Sequence, residues 1–194
     1  NYPDKKAVES QLSTSFKSAK LSPFVCRIPE GTYQWEDKRY ELSNKFNDGS
    51  AIHGILYNKS FNVVDQYSNE EQAAVRLKYQ YKKEDEGYPF NYSCEIVYIL
   101  HPGNRLQIET TVRNLDVIII PIADGWHPYF TLGGKINNYQ LQFASDTLLE
   151  FDDKLVPTGK FLYDPSFIEP NQIGDRFLDN CFQLQWKEGV PVCK

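Results

Sequence analysis

The chain has 194 residues, a length that suits one substantial core and that all-β sandwiches often reach as a single domain. Its net charge of −5 lacks the basic footprint of a nucleic-acid-binding protein and disfavours binding to anionic membranes. We find no run of about 18 apolar residues, the length that a transmembrane helix needs.

Aromatic residues make up 14% of the chain, and 13 of them are tyrosines, which favours sheets and carbohydrate-binding surfaces over helical bundles. The cysteines are far apart and form no C-x-x-C pair, so neither a zinc site nor a dense disulfide framework is predicted. They are Cys26, Cys94, Cys181 and Cys193. Free thiols indicate a reducing, cytoplasmic compartment. The start at Asn1 and the Asn-x-Ser sequons at Asn58 and Asn91 leave a periplasmic or secreted protein open.

The first 22 residues are polar, with Val8, Leu12 and Phe16 at four-residue steps. This spacing fits one short helix. The alternative is that residues 1–20 are a lead-in segment to the fold that follows.

The rest of the chain predicts strands. Residues 33–42 alternate apolar and polar around a Glu36-Asp37 turn, which is typical of a β-hairpin. His101-Pro102-Gly103-Asn104 has the composition of a second hairpin turn, in which His101 is expected to be solvated and inert. The apolar run 117–122 is predicted as a buried strand. Further predicted strands are residues 61–67, 73–81, 92–100, 105–113, 139–143, 148–151, 159–163 and 181–186.

Closely spaced strands without a helical period, an internal repeat or a linker predict an all-β fold, a large antiparallel β-sandwich forming one domain over residues 1–194. A sandwich ending with the strand at 181–186 would have unpaired sheet edges, which native proteins cover or charge. We therefore expect residues beyond 194, and some before Asn1, to complete the sheet.

The segment most suggestive of chemistry is Trp126-His127-Pro128-Tyr129-Phe130. His127 follows a predicted strand, and Pro128 favours an extended backbone before it. An imidazole can donate or accept a proton near physiological pH, and aromatic faces suit the C–H faces of a sugar ring. On the residues alone, a packed histidine at the end of a strand is the favoured explanation of the segment.

His127-Pro128-Tyr129-Phe130 resembles the His-Pro-Tyr-Phe signature of the aldose 1-epimerase (galactose mutarotase) family. The resemblance extends over roughly residues 20–190. Its other anchors, in the order of the family, are Arg27-Ile28 with Gly31 and Tyr33, Leu42 and Asn44 with Ile52-His53-Gly54, Gly87-Tyr88-Pro89, 155–159 (Leu-Val-Pro-Thr-Gly), and 178–182 (Leu-Asp-Asn-Cys-Phe). The chain departs from the pattern at Cys26, Ile55 and Phe90, where the family has asparagine, glycine and glycine.

The resemblance implies a galactose mutarotase-like supersandwich and a mutarotase that exchanges the α and β anomers of a free hexose, a small-molecule sugar. Ring opening needs one acid and one base, so neither a cofactor nor a metal is implied. In the family, the histidine matching His127 is the acid. The residues matching Arg27, His53 and Asp179 hold sugar hydroxyls, and Tyr129 is a candidate for stacking on the sugar.

The catalytic glutamate of the family has no counterpart that we assign. It lies well beyond the segment of Asp179, where this chain offers only Glu188 in a charged turn. Three hypotheses therefore stay open. The first is an aldose 1-epimerase-like enzyme represented by an incomplete chain. The others are a non-catalytic carbohydrate-binding protein on the same fold and a hexose-6-phosphate epimerase-like member.

Each candidate residue also has an ordinary structural explanation. Arg27 could pair with a surface carboxylate, and His53 could be a plain loop residue. Asp179 could be a cap or turn former. Tyr129 could belong to the core.

Overall fold

The computed structural model describes residues 2–185 and 193. The packing of the chain divides it into two compact units, Asn1–Tyr129 and Phe130–Lys194. The single domain over residues 1–194 stays a prediction. Within the described residues, no helix is long and apolar enough to cross a membrane.

The first unit contains one helix, one short 3₁₀ turn at Pro29–Gly31 and ten strands. The helix and strands are α1 (Lys5–Ser15), β1 (Ala19–Leu21), β2 (Arg27–Ile28), β3 (Thr32–Trp35), β4 (Lys38–Glu41), β5 (Ala51–Ile52), β6 (Asn62–Ser68), β7 (Ala73–Lys82), β8 (Asn91–His101), β9 (Arg105–Asn114) and β10 (Gly125–His127). In the second unit, the described residues contain a 3₁₀ turn at Ile136–Asn138 and five strands. These are β11 (Gln140–Leu141), β12 (Thr147–Phe151), β13 (Pro157–Tyr163), β14 (Asn171–Gln172) and β15 (Cys181–Phe182).

Helix α1 confirms the helical interpretation of the first residues. Asp4 caps its first turn, because the Asp4 carboxylate accepts from the backbone N–H of Ala7 at 2.8 Å. The helix ends at Phe16, which adopts a left-handed backbone (φ 51°) and donates its N–H to the Leu12 carbonyl at 2.7 Å. Phe16 is therefore the cap of the helix and not part of its apolar face.

The four strands β6 to β9 form one antiparallel meander, in the order of the sequence. The predicted strands at 61–67, 73–81, 92–100 and 105–113 are confirmed within two residues at each end. His101 pairs with Arg105 across the last turn, where Gly103 and Asn104 have positive φ values of 77° and 59°. The predicted hairpin at 33–42 is also confirmed, with Tyr33 opposite Tyr40.

The core of the first unit is rich in tyrosine. Tyr81, Tyr92 and Cys94 are fully buried, and Leu42 and Tyr88 pack in the same cluster. Burial removes water from the ionised forms, so it raises the pKa of Tyr92 and raises that of the Cys94 thiol to about 11. Both side chains therefore stay neutral at physiological pH, as packing requires.

The Gly87-Tyr88-Pro89 segment has a packing role. A Cβ atom at Gly87 would lie 2.1 Å from the carbonyl oxygen of Glu41, so only glycine fits against β4. The Tyr33 hydroxyl donates to the Gly87 carbonyl at 2.8 Å, and the Tyr88 hydroxyl donates to the Pro121 carbonyl at 2.8 Å. The close approach of Gly87 to Glu41 and the Tyr33 hydrogen bond join the β3–β4 hairpin to the core cluster, and the Tyr88 hydrogen bond joins that cluster to Pro121.

The buried strand predicted over residues 117–122 is wrong. The segment forms no strand, and Val117 is fully exposed, whereas Ile120 is buried in the core cluster. The Asn114 side-chain amide donates to the Ile118 carbonyl at 2.7 Å, which closes a local turn in place of a ladder. Pro121 has no N–H to offer a neighbouring strand. An apolar run alone therefore did not determine strand pairing.

In the second unit, β12 lies between β13 and β15, and β11 pairs with β14. Strands predicted at 148–151 and 159–163 are confirmed. The turn between them has a positive φ at Leu155 (59°), and Gly159 within β13 has a φ of 83°. The strand predicted at 139–143 is shorter. Of the one predicted at 181–186, only Cys181–Phe182 is a strand, and Trp186 lies outside the described residues. Every paired strand in both units is antiparallel.

Candidate functional site

His127 is the last residue of β10, which pairs with β1. Ala19 lies opposite His127, and the N–H of Ser18 donates to the His127 carbonyl at 2.8 Å. Pro128 follows and cannot continue the ladder as a donor. The imidazole is half-buried at the end of β10. The strand at 117–122, beyond which the sequence placed His127, does not form, so the position of His127 comes from β10 instead.

Arg27 and His53 come from a second short ladder. β2 pairs with β5, with Arg27 opposite Ile52, and the N–H of His53 donates to the Cys26 carbonyl at 2.9 Å. Both Cys26 and His53 have a left-handed backbone, with φ values of 58° and 62°. A non-glycine residue in that region is held by its surroundings, so this loop fixes the direction in which His53 leaves the backbone.

Gly54 explains the Ile52-His53-Gly54 motif in steric terms. Its φ is 83°, and a Cβ atom there would lie 2.2 Å from the carbonyl oxygen of Ser22. That carbonyl accepts from the N–H groups of Ile55 and Leu56 at 2.8 and 3.1 Å. The glycine lets the His53 loop dock against the end of β1.

The two histidines are brought into contact. The ring centroids of His53 and His127 are 5.1 Å apart at an interplanar angle of 76°. Tyr129 stacks on the imidazole of His127, with the ring centroids 5.4 Å apart at an interplanar angle of 22°. Phe16 lies 4.7 Å from His53 and 6.3 Å from His127. The result is a cluster of two imidazoles and two aromatic rings, which we call the histidine cluster.

Phe16 is a member of the cluster that sequence reasoning missed. It is 7% exposed and also packs against Tyr57 and Phe46, at 5.1 and 6.0 Å. The spacing with Val8 and Leu12 suggested an ordinary helix face. The only signal of another role is its place at the boundary between the helix and the following strand.

Tyr129 is 53% exposed, so the interpretation as a core residue is wrong. Its hydroxyl donates to the carbonyl of Ser15, the last residue of α1, at 3.0 Å. Since its ring stacks on His127, Tyr129 joins the end of the helix to the histidine cluster.

Arg27 pairs with a carboxylate, as the ordinary structural explanation expects. Its guanidinium contacts Asp48 and donates to the Ser50 hydroxyl at 2.6 Å. Asp48 accepts from the hydroxyl and the N–H of Ser50, at 2.6 and 3.0 Å. These Ser50 hydrogen bonds, and then the Arg27 charge, lower the pKa of the Asp48 carboxyl. Asp48 and Ser50 were also missed, although Asp48-Gly49-Ser50 is a recognisable turn sequence.

Arg27, His53, His127 and Tyr129 all lie in the first unit, whereas Asp179 lies in the second, exposed and two residues before β15. Glu188 lies outside the described residues. His101 is at the hairpin end of β8, with its Nε2 atom 3.2 Å from the Gln107 side-chain oxygen. Among the residues that the structure describes, no three His, Cys, Asp or Glu side chains are grouped so that they could hold a metal ion.

The fold is that of the galactose mutarotase-like β-sandwiches. The chain is similar to galactose 1-epimerase from Lactobacillus acidophilus, with a TM-score of 0.81 and 19% identity over 100% of this chain and 61% of that one. The chain belongs to the aldose 1-epimerase family, because the family model for aldose 1-epimerase matches residues 2–190.

Two curated relatives are similar in sequence. The uncharacterised protein YihR of Escherichia coli is 25% identical over 168 residues, 84% of this chain and 53% of that protein. The aldose 1-epimerase of Streptococcus thermophilus is 29% identical over 147 residues, 69% of this chain and 39% of that protein. The chain spans about half or less of the length of these two relatives.

Proposed function

We propose that the chain carries the acid and part of the sugar-binding site of an aldose 1-epimerase that interconverts the α and β anomers of a free hexose. The observation that supports this most is the contact between His53 and His127 in a member of this family. Two titratable rings side by side, next to an exposed aromatic face on Tyr129, form a surface suited to a sugar.

In this proposal, His127 acts as the general acid. Opening the sugar ring requires a proton on the ring oxygen and the loss of a proton from the hydroxyl at C1. An imidazolium at His127 delivers the first proton and recovers it when the ring closes on the other face. We assign the base to none of the described residues, so the full reaction needs a carboxylate from elsewhere in the protein.

The remaining candidates bind the sugar. Asp48 and Ser50 hold the Arg27 guanidinium in place, so its remaining N–H groups are oriented before a sugar arrives. His53 presents a second hydrogen-bonding group beside His127, and Tyr129 offers a ring face. Asp179 is assigned to the site as a sugar-binding carboxylate, and the family resemblance is the only basis for this assignment.

A phosphorylated hexose fits this arrangement less well. A phosphate group is bound most strongly by cationic side chains whose charge is not already offset. Arg27 instead faces the carboxylate of Asp48, which offsets its charge. We therefore favour an uncharged sugar over a hexose 6-phosphate.

The test separates binding from turnover. Polarimetry on freshly dissolved α-galactose and α-glucose follows mutarotation directly, and saturation-transfer NMR on the same sugars reports binding. We expect the complete protein, which includes the base, to accelerate mutarotation above the buffer rate and to lose this activity on heat denaturation. Sugar binding without any acceleration of mutarotation would contradict the enzyme hypothesis and would favour a non-catalytic carbohydrate-binding protein. Tight binding of glucose 6-phosphate in preference to glucose would contradict the choice of an uncharged sugar.

A further inference from the structure

The ribbon formed by β1 and β10 has two faces, because successive side chains of a strand point to opposite sides. Ala19 lies opposite His127, so these two residues share one face. Lys20 lies opposite Trp126, and these two share the other face. In agreement with this, the Lys20 ammonium lies 5.0 Å from the centre of the Trp126 ring. Lys20 thus supports the His127 segment from the side away from the imidazole.

The Lys20 side chain is 4% exposed, although its ammonium is charged. Burying such a charge is costly unless it is paired and hydrogen-bonded. The Lys20 Nζ atom lies 2.5 Å from the Asp124 carboxylate and 2.9 Å from the Gly125 carbonyl oxygen. A third, longer contact of 3.5 Å reaches the Leu21 carbonyl. The three hydrogens of the ammonium therefore have three oxygen acceptors.

Two of these acceptors belong to the residues at the start of β10. Asp124 immediately precedes the strand, and Gly125 is its first residue. β10 has only three residues, and β1 is its partner strand among the described residues. Trp126 anchors β10 at one further point, since its indole N–H donates to the Thr110 hydroxyl of β9 at 3.2 Å.

We propose that Lys20 is a positioning residue for His127. Its ammonium holds Asp124 and Gly125 and thereby fixes the short strand that carries the imidazole next to His53. Lys20 does not touch the sugar in this proposal. The catalytic consequence rests on the proposed role of His127, whereas the positioning itself does not.

The test replaces the ammonium with an apolar group of similar length, Lys20→Met. We expect kcat in the polarimetric assay to fall about tenfold, because a displacement of about 1 Å at a catalytic group can cost up to ~100-fold. KM for the sugar should change less than about twofold. In ¹⁵N NMR, the imidazole signals of His127 should move while those of His101 stay. Lys20→Arg keeps the charge and should recover most of the kcat.

Arg76→Met is the matched control. It breaks another cross-strand ion pair, Arg76 with Glu95 at 2.6 Å, in the β6–β9 meander. It should change neither kcat nor the His127 signals. The proposal is overturned if Lys20→Met lowers only the unfolding midpoint and leaves the His127 signals in place. If Lys20→Met does not fold, Asp124→Asn removes the same ion pair with little change in volume and decides by the same signals.

If the wild-type protein had no mutarotase activity, the proposed function would be contradicted, but the inference about Lys20 would not. The NMR comparison of Lys20→Met with Arg76→Met needs no turnover. Movement of the His127 signals would then support positioning by Lys20 on its own.

Discussion

The imidazoles of His53 and His127 lie 5.1 Å apart, and one strand supports both of them. Ala19 at the start of β1 is opposite His127, and Ser22 just after β1 forms a bridge with Gly54, next to His53. All residues of β1 are buried. The histidine cluster is therefore built around β1, so a change in this strand should disturb both histidines together.

The first prediction concerns His127→Ala. A positioned general acid typically contributes ~10²–10⁴-fold, so kcat should fall by about that factor. The fold should survive, because the half-buried ring lies outside the main core cluster. Polarimetry measures the rate, and circular dichroism checks the fold.

Two further histidine variants make this prediction specific. His53→Ala should weaken sugar binding at least as much as turnover, because His53 is proposed to bind the sugar. His101→Ala should retain full activity, since its ring lies at the β8–β9 turn and contacts Gln107. Full activity in His127→Ala, or loss of activity in His101→Ala, would show that the acid is not His127.

Local patterns were sufficient to predict much of the fold. Alternation along β7 and the turn chemistry of Gly103-Asn104 determined the meander, because both depend on neighbouring residues. The run at 117–122 was predicted wrongly as a strand because strand formation depends on a partner strand, which local sequence does not specify. Motif resemblance identified His53 and His127, but their contact arises from the pairing of β1 and of β5 with other strands.

Some contacts of the site could not be predicted from the sequence, namely those of Phe16, Asp48 and Lys20. Phe16 belongs to a helical pattern by spacing, yet its left-handed backbone turns the ring onto the histidines. Asp48 contacts Arg27 from a turn 21 residues further along the chain, a separation that no local pattern specifies. The buried Lys20 depends on an acceptor 104 residues away. Such contacts follow from tertiary structure alone.

Phe16→Ala should uncover the histidine cluster. Phe16 packs with Ala19 and Leu21 in a small apolar cluster, and removing its largely buried ring should cost roughly 3 kcal/mol of unfolding free energy. It should also raise the rate at which diethyl pyrocarbonate modifies His53 and His127, measured by mass spectrometry relative to His101. Phe61→Ala is the control, because Phe61 packs against Tyr79 in another part of the unit. Equal modification rates in both variants would show that Phe16 does not cover the histidines.

The Asp48 carboxyl should titrate below its ordinary range. The Ser50 hydroxyl and N–H, followed by the Arg27 charge, lower its pKa in the folded protein. A lowered carboxyl pKa stabilises the fold above the ordinary carboxyl pKa, and this stabilisation is lost as pH falls through the folded pKa. The Arg27–Asp48 contact should therefore persist in mildly acidic solution. A ¹³C NMR titration measures this, and Ser50→Ala should move the midpoint upward. A wild-type midpoint at or above the ordinary value would contradict the prediction.

The last prediction uses two glycines with nearly the same backbone. Gly54 has φ 83° and would place a Cβ atom 2.2 Å from the Ser22 carbonyl oxygen, whereas Gly49 has φ 82° and no atom within 4 Å of that position. Both Gly→Ala substitutions incur the cost of a left-handed alanine, about 1–2 kcal/mol. Only Gly54→Ala adds the collision with the backbone, so it should destabilise the protein by at least about 2 kcal/mol more than Gly49→Ala. Urea unfolding followed by tryptophan fluorescence measures both.

Since the collision pushes the His53 loop away from β1, Gly54→Ala should also weaken sugar binding, while Gly49→Ala leaves the His53 loop in place. Equal losses of stability in the two variants would show that the close approach of Gly54 to Ser22 does not hold the His53 loop.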